Sequence, residues 1–234
     1  MTFQFKQFSV KQAQSAMKIG TDGVLLGAWT PLEQPQSILD IGAGTGLLAL
    51  MLAQRCDALT IDAVEIDESA YIECTENFEA SPWGDRLFCY HASFEEFFTE
   101  MDEPYDLIIS NPPFYPTDYK TPEKARNTAR FSDALPPKQL LEGVNRLLAV
   151  GGKFSVILPY TESERFITLA ATFGLFPQQI THTRGNAQSE LKRSMMLFAR
   201  APQPSYPIDI LTIEKERGVY TEAYKALTKE FYLK

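Results

Sequence analysis

Four residues that close a short apolar run have the types and spacing most suited to chemistry, Asn111-Pro112-Pro113-Phe114. The carboxamide oxygen of Asn111 and the carbonyl oxygen of Pro112 can each accept an N–H group. Proline lacks an N–H and holds the preceding residue in an extended conformation, so this corner is stiff and rich in acceptors. Phe114 adds a flat face on which a ring can stack. The combination predicts a site that receives a planar amine.

A second informative segment is a glycine-rich turn, Asp40-Ile41-Gly42-Ala43-Gly44-Thr45-Gly46. Glycines in such a turn let the backbone bend tightly and approach a ligand closely. A dinucleotide-binding turn would need glycine at position 47, where this chain has Leu47. The spacing resembles instead the S-adenosylmethionine turn of class I methyltransferases, Asp-x-Gly-x-Gly-x-Gly.

An acidic residue follows the turn at the distance that a nucleoside ligand requires. Glu65 comes 19 residues after Gly46, at the end of the next predicted strand. A carboxylate at this position can accept two hydrogen bonds from ribose hydroxyls. Asp67 is the alternative, and we favour Glu65 because it lies closer to the strand end.

The elements that must position these groups alternate between strand and helix. This order is typical of βαβ units and a parallel sheet. The predicted strands are 37–41, 60–64, 86–90, 105–110 and 153–158, and the predicted helices are 47–55, 68–80, 94–101, 138–148 and 163–173.

The last part of the chain departs from this alternation. Residues 176–183 and 194–200 predict two strands joined by a polar loop, which indicates a hairpin. An edge strand at 208–213 and a closing helix at 221–231 follow. At the other end, a strand-like start and a helix near 22–29 precede the sheet.

The domain organisation predicted from these patterns is simple. Residues 1–234 form one methyltransferase-like domain, in which residues 1–36 are an extension that covers the ligand and substrate sites. Residues 111–135 have no clear period, and loops of this length in compact domains are often functional. We therefore expect a substrate loop there, with four basic residues: Lys120, Lys124, Arg126 and Arg130.

Charge is distributed unevenly, although the chain as a whole carries −8. Residues 57–106 hold fifteen of the thirty acids, with Arg86 as their only base. Residues 1–20 and 182–200 are predominantly basic. Because the local field acts on a phosphate, a basic nucleic-acid-binding face is compatible with the acidic total. A mixed, solvated surface is the alternative.

The remaining composition argues against several classes of protein. No apolar run approaches the ~18 residues that a membrane span requires, and the polar N-terminus indicates no signal peptide. Cys56, Cys74 and Cys89 show no metal-ligand spacing. We expect a cytoplasmic protein with free thiols and no metal.

Together these segments resemble the class I methyltransferases that act on amino groups, with their (Asn/Asp/Ser)-Pro-Pro-(Tyr/Phe/Trp) signature. More closely, the chain resembles bacterial tRNA(Val) (adenine-37, N6) methyltransferases over nearly its full length. The first and last matching pieces are the most specific to that family. They are Phe8-Ser9-Val10-Lys11-Gln12, the segment 17–29, the glycine turn, Ala63-Val64-Glu65-Ile66-Asp67, Asn111-Pro112-Pro113-Phe114 and the ending 226–232.

The resemblance implies an α/β, Rossmann-like fold with a seven-stranded, mostly parallel sheet, an antiparallel last strand and helices on both faces. It implies S-adenosylmethionine as cofactor, tRNA as partner and the N6 amino group of an anticodon-loop adenine as acceptor. We expect a monomer. The implied catalytic residues are Asn111, Pro112, Pro113 and Phe114, and the implied cofactor residues are Thr21, Asp22, Asp40, Gly42, Gly44, Gly46, Glu65 and Ser93.

Two of these assignments follow from the resemblance alone. Thr21-Asp22 is expected near the methionine part of the cofactor, and Ser93 takes the position where the superfamily often has an Asp facing the cofactor adenine.

Three other functions are compatible with the same corner. One is methylation of a glutamine amide in release factors, and another is methylation of guanine N2 in ribosomal RNA. The third is an inactive RNA-binding module, which the intact glycines, Glu65 and Asn111 argue against.

Overall fold

The fold is seen in a computed structural model, which describes residues 1–13, 18–113 and 135–233. Twelve strands lie in these ranges: β1 Thr2–Gln4, β2 Ser9–Lys11, β3 Ser37–Ile41, β4 Thr60–Glu65, β5 Leu87–His91, β6 Tyr105–Ser110, β7 Leu148–Pro159, β8 Phe176–Arg184, β9 Arg193–Ala199, β10 Ile208–Thr212, β11 Glu214–Glu216 and β12 Val219–Tyr220. The α-helices there are α1 Thr21–Trp29, α2 Leu47–Arg55, α3 Glu68–Glu79, α4 Phe94–Glu100, α5 Pro137–Leu147, α6 Ser163–Thr172 and α7 Glu222–Thr228.

The centre of the molecule is an eight-stranded sheet with the order β10-β8-β9-β7-β6-β3-β4-β5. Strand β9 is antiparallel to both of its neighbours, and every other pair in the sheet is parallel. This arrangement confirms the predicted mostly parallel sheet and the hairpin at 176–200.

The predicted number of seven strands was wrong by one. The eighth strand is β10, which lies at the sheet edge and pairs in parallel with β8 through Ile208 and Ile180. The sequence predicted an edge strand at 208–213, but it did not predict that this strand pairs with β8 of the central sheet. A short strand carries no local signal for its partner, because pairing is decided by tertiary contacts.

Helices cover both faces of the sheet, and alternate residues of each strand contribute to different cores. Ile38 and Met195 face the core made with α1, α2, α3 and α7. Their neighbours Leu39 and Met196 face the core made with α4, α5 and α6. The helices therefore hold the sheet rigidly, and its strand ends become fixed points for functional groups.

The N-terminal hairpin β1–β2 is joined to the C-terminal segment. The backbone N–H of Lys6 donates to the carbonyl of Phe231 at 2.9 Å. The ring of Phe5 stacks on Phe8 at 4.7 Å and on Tyr232 at 6.0 Å between centroids. The two ends of the chain thus close one aromatic cluster beside α2 and α3.

The segments singled out in the sequence converge on the carboxyl edge of the sheet. Strand β3 leads into the glycine turn, β4 ends at Glu65, and β6 leads into Asn111. Because β9 runs the other way, its first residue, Arg193, pairs with Pro159 at the end of β7. Ligands of open α/β sheets bind at this edge.

Two kinds of feature are absent from the described ranges. None of their helices is long and apolar enough to cross a membrane. They also contain no group of three His, Cys, Asp or Glu side chains that could hold a metal ion.

Candidate active site

The three glycines of the turn have two different structural roles. Gly42, Gly44 and Gly46 all have positive φ, at 71°, 57° and 79°. A Cβ at Gly42 or Gly44 would meet nothing within 4 Å, whereas one at Gly46 would lie 2.5 Å from Cε1 of Phe78. The first two glycines therefore leave open space for a ligand, and the third lets α3 pack closely against the turn.

The turn is held from two sides. The N–H groups of Gly42 and Ala43 donate to the carbonyl of Val64 at 2.9 and 3.2 Å. On the other side, the Asn77 carboxamide donates to the carbonyl of Thr45 at 2.9 Å and also bonds Lys11 of β2 in both directions. Asn77 thus connects the turn to the N-terminal hairpin, a contact that no local sequence pattern predicts.

The carboxylate of Glu65 lies directly beside the turn and is 8% exposed. It accepts from the N–H of Gly44 at 2.7 Å and from the N–H of Asp67 at 2.9 Å. Asp67 is exposed and caps α3 by accepting from the N–H of Ala70 at 2.8 Å. Of the two carboxylates, Glu65 is therefore the one in direct contact with the glycine turn, whereas Asp67 caps α3.

Asp40 is buried beneath the turn with one oxygen unpartnered. Its Oδ2 accepts from the N–H of Ala49 at 3.2 Å, and Oδ1 has no hydrogen bond within the described residues. Burial raises the pKa of this carboxyl to about 7; the bond from Ala49 opposes the rise, and the nearby Glu65 adds to it. An orphaned buried oxygen below an open glycine cradle fits a ligand that carries a donor or a positive charge.

Asn111 lies at the meeting point of β6, α1 and α2. A Cβ on Gly23 would be 3.0 Å from Cδ2 of Leu47 and 3.9 Å from Nδ2 of Asn111. Since Leu47 directly follows the glycine turn, the predicted amine site and the predicted cofactor turn are brought together. Pro112 is buried, and no hydrogen bond ties the Asn111 carboxamide to another described residue.

Part of the predicted site lies outside the described residues. These are Phe114, the loop that follows it as far as residue 134, and the basic residues Lys120, Lys124, Arg126 and Arg130.

Thr21 and Asp22 begin α1 close to the same corner. The Asp22 carboxylate forms an ion pair there, in which the Nε of Arg193 donates to its Oδ2 at 2.7 Å. Arg193 therefore stabilises the first turn of α1 through an ion pair. Among the described residues, the other bases of the segment 182–200 form no such pair.

Ser93 lies after β5 at the same edge of the sheet, but its hydroxyl is engaged locally. It accepts from the N–H of Glu96 at 3.2 Å, and the Glu96 carboxylate accepts from the backbone N–H of Ser93 at 2.9 Å, which forms a capping box on α4. The hydroxyl also donates to that carboxylate at 2.7 Å. These bonds lower the pKa of Glu96. The hydroxyl has less capacity left for a ligand than the sequence suggested.

Comparison with known proteins identifies the family. The family model "Methyltransferase small domain" matches residues 14–174. The tRNA1(Val) (adenine(37)-N6)-methyltransferase of Flavobacterium psychrophilum is 59% identical over 233 residues, covering 99% of each chain. The protein of the same name from Bacteroides fragilis is 46% identical over 235 residues, covering 99% of this chain and 98% of the relative. The chain belongs to this methyltransferase family.

Solved structures of other methyltransferases share the fold of this family member. The predicted O-methyltransferase of Agrobacterium tumefaciens superposes with a TM-score of 0.68 at 16% identity, over 90% of this chain and 96% of that one. The ribosomal protein L11 methylase of Lactobacillus delbrueckii gives 0.55 at 16% identity, over 76% and 77%. The prediction of a class I, Rossmann-like methyltransferase fold is confirmed.

Proposed function

We propose that the protein transfers a methyl group from S-adenosylmethionine to the N6 amino group of adenine 37 in tRNA(Val). The observation that carries this proposal is the position of Asn111 beside the residue that follows the glycine turn. Family membership supports the same reaction, since the relatives that match the whole chain bear its name.

The described residues fit the cofactor that this family uses. S-adenosylmethionine supplies an electrophilic methyl group on a positively charged sulfur. Gly42 and Gly44 would leave room for its amino-acid end, the orphaned oxygen of Asp40 would favour its ammonium group, and Glu65 would accept from its ribose. Thr21, Asp22, Gly46 and Ser93 complete the proposed set around these groups.

The acceptor amine needs activation because its lone pair is delocalised into the adenine ring. The Asn111 oxygen and the Pro112 carbonyl would accept its two N–H groups and favour a pyramidal nitrogen, with the lone pair directed at the methyl carbon. Correct positioning then supplies much of the rate enhancement. The same oxygens stabilise the positive charge that develops on nitrogen, and the product ammonium loses its proton to water.

No strong general base is needed, and the two histidines are engaged elsewhere. His91 contacts the carbonyl of Ile66 at 3.1 Å and stacks on Tyr71. His182 shares a hydrogen bond of 2.8 Å with Ser194. Neither contact involves Asn111 or Pro112.

The target base must leave its stack to reach Asn111. Bases in single-stranded loops are the easiest to splay out, which suits an anticodon loop. We propose that Phe114 stacks on this base and that residues 111–135 cover it as a substrate loop. We further propose one methyltransferase domain over residues 1–234, in which residues 1–36 cover the site, and a monomeric protein in the cytoplasm, where tRNA is modified.

The test is methylation of defined acceptors with labelled S-adenosylmethionine, followed by nucleoside analysis. We expect N6-methyladenosine at position 37 of unmodified tRNA(Val), and no label when that adenine is replaced by guanine. Label in a release factor or in ribosomal RNA, with none in tRNA, would contradict the proposal.

The amine-binding role is tested with Asn111→Ala. Turnover should fall by orders of magnitude, while the Kd for S-adenosylmethionine stays nearly the same. Asn111→Asp is the matched control, because it keeps an acceptor oxygen and should retain part of the activity. Unchanged turnover of Asn111→Ala would remove Asn111 from the mechanism.

A further inference from the structure

Two basic residues and two aromatic rings form a second surface at the carboxyl edge of the sheet. We call this surface the β8–β9 edge and define it as Tyr160, His182, Arg184 and Lys192. The strand register brings its members together, because Thr183 pairs with Arg193 across β8 and β9. The N–H of Tyr160 donates to the carbonyl of Lys192 at 3.0 Å, and the N–H of Lys192 donates to the carbonyl of Thr183 at 2.7 Å.

This edge lies near the amine site but is separate from it. Strand β9 is two positions along the sheet from β6, the strand that leads into Asn111. At about 4.8 Å per strand, β9 lies roughly 10 Å from β6, and β8, which carries His182 and Arg184, lies roughly 14 Å from it. A single strand of RNA with one base at Asn111 would reach the β8–β9 edge within a few nucleotides.

Among the residues that the structure describes, the basic groups of the edge have no acidic partner. Within the described residues, neither Arg184 nor Lys192 forms an ion pair, whereas the adjacent Arg193 is paired with Asp22. The Nε of Arg184 donates to Oγ1 of Thr212 at 2.9 Å, which holds the guanidinium in place. Glu190 is the single acid of the connecting loop.

The opposite end of the sheet would repel a polyanion. The segment 57–106, which holds fifteen acids and only Arg86 as a base, builds β4, α3, β5 and α4. Residues 137–233 carry twelve lysines and arginines against nine acids. An RNA that approaches the glycine turn is therefore favoured on the β8–β9 side.

The rings of the edge offer a firm, uncharged surface. Tyr160 is 39% exposed and meets His182 edge-on, with 4.9 Å between ring centroids and 89° between planes. The bond to Ser194 fixes the imidazole, and partial burial lowers the pKa of His182, which favours the neutral ring. Exposed rings next to cationic side chains are the usual platform for single-stranded nucleic acid.

We propose that the β8–β9 edge binds the tRNA strand next to the methylated base, with Arg184 and Lys192 on phosphates and Tyr160 stacked on a neighbouring base. This inference rests on the proposed function, because it takes tRNA to be the substrate. It adds a binding surface beyond the residues that bind the cofactor and the reacting amine.

The electrostatic part is tested by measuring binding of a labelled tRNA(Val) anticodon stem-loop over a range of salt concentrations. Arg184→Gln combined with Lys192→Gln should weaken binding by tenfold or more. It should also reduce the slope of log K against log salt by about 0.7–0.9 for each phosphate that is no longer neutralised. The Kd for S-adenosylmethionine should not change. Lys153→Gln, on β7 and away from the carboxyl edge, is the matched control and should alter neither quantity.

The stacking part is tested with Tyr160→Ala. Loss of one stacked base should weaken binding by about 5-fold to 100-fold without changing the salt slope. Tyr160→Phe keeps the ring and should bind as the wild type does. Circular dichroism and cofactor affinity confirm that each variant is folded.

The results distinguish failure of this inference from failure of the proposed function. If the wild type methylates adenine 37 but the edge variants bind the stem-loop normally, the edge is not the tRNA surface. If the edge variants lose RNA binding but the wild type methylates no adenine, the β8–β9 edge is still the RNA-binding surface and the proposed reaction is wrong. Loss of binding to a release factor, with RNA binding intact, would assign the edge to a protein partner and overturn the inference.

Discussion

Arg193 and Asp22 are 171 positions apart in the chain, yet their side chains meet at 2.7 Å. The contact joins the start of β9 to the first turn of α1, one residue before Gly23, which faces Asn111. The ion pair therefore links the strand next to the β8–β9 edge to the helix that borders the amine site.

Arg193→Gln is expected to loosen the first turn of α1 with little loss of global stability. The two side chains are 39% and 35% exposed, and exposed pairs contribute about 1 kcal/mol or less. Amide hydrogen exchange at Val24, whose N–H donates to the carbonyl of Gly20, should accelerate, while the urea midpoint moves only slightly. In a double-mutant cycle with Asp22→Asn, additive effects would show that the two residues do not act together.

Alanine substitutions in the glycine turn should separate its two structural roles. Gly46→Ala should cost about 3 kcal/mol of unfolding free energy, because it adds a clash with Phe78 to the strain of positive φ. Gly42→Ala has open space in front of it and should cost about 1 kcal/mol, chiefly from backbone strain. Denaturant unfolding measures both values.

The same pair of variants has an internal control. Adding Phe78→Leu to Gly46→Ala should recover part of the loss, and adding it to Gly42→Ala should not. Equal losses for the two glycines would contradict the assignment of Gly46 to packing and Gly42 to the open cradle.

Asp40 should make the free protein less stable as the pH rises. Its folded pKa is about 7 and the ordinary pKa of an aspartate is 3.8, so between these values the folded state holds a proton that the unfolded state has released. Its favourable contribution is complete below about pH 4 and is lost as the pH rises to 7, with a slope of at most about 1.4 kcal/mol per pH unit. Urea unfolding from pH 4 to pH 8 measures the slope, which Asp40→Asn should flatten. An unchanged slope would assign the titration to another group.

Asn77→Ala should detach the N-terminal hairpin from the glycine turn. The change leaves the Thr45 carbonyl and the Lys11 backbone without their partner, at a cost of about 2 kcal/mol. Hydrogen exchange at the Lys11 amide should accelerate strongly. Thr75→Ala on the same helix removes only a local bond to Tyr71 and should have a small effect. Equal effects of the two variants would mean that Asn77 has no special bridging role.

Much of the fold could be predicted because most of its strands and helices are determined by the residues within and next to them. The apolar run 37–41 and the helix 47–55 have the predicted bounds, since glycines and polar residues flank them. Strand β7 was predicted too short. It begins at Leu148 and continues through Gly151 and Gly152, because pairing with β6 resumes after an irregularity between Tyr105 and Leu107.

The candidate site could be predicted only where neighbours in sequence are neighbours in space. The glycine turn and Asn111 each directly follow one strand, so the sequence was enough to place both at the carboxyl edge of the sheet. The bonds of Asn77 to Thr45 and of Arg193 to Asp22 depend on how distant elements pack, and no local pattern encodes them. Ser93 is a different case, since Ser93 and Glu96 carry a recognisable capping-box spacing that also favours a structural role.

The bond between Lys6 and Phe231 has a consequence for how the protein is made. During translation, the first hairpin leaves the ribosome long before the segment that receives it. Phe8 can pack on Trp83 early, but Phe3 and Phe5 lack their partner Tyr232 until the C-terminal segment has been made. A nascent chain thus completes this aromatic cluster only with its last residues, and a message cut short before that point would leave the hairpin docked on α3 alone.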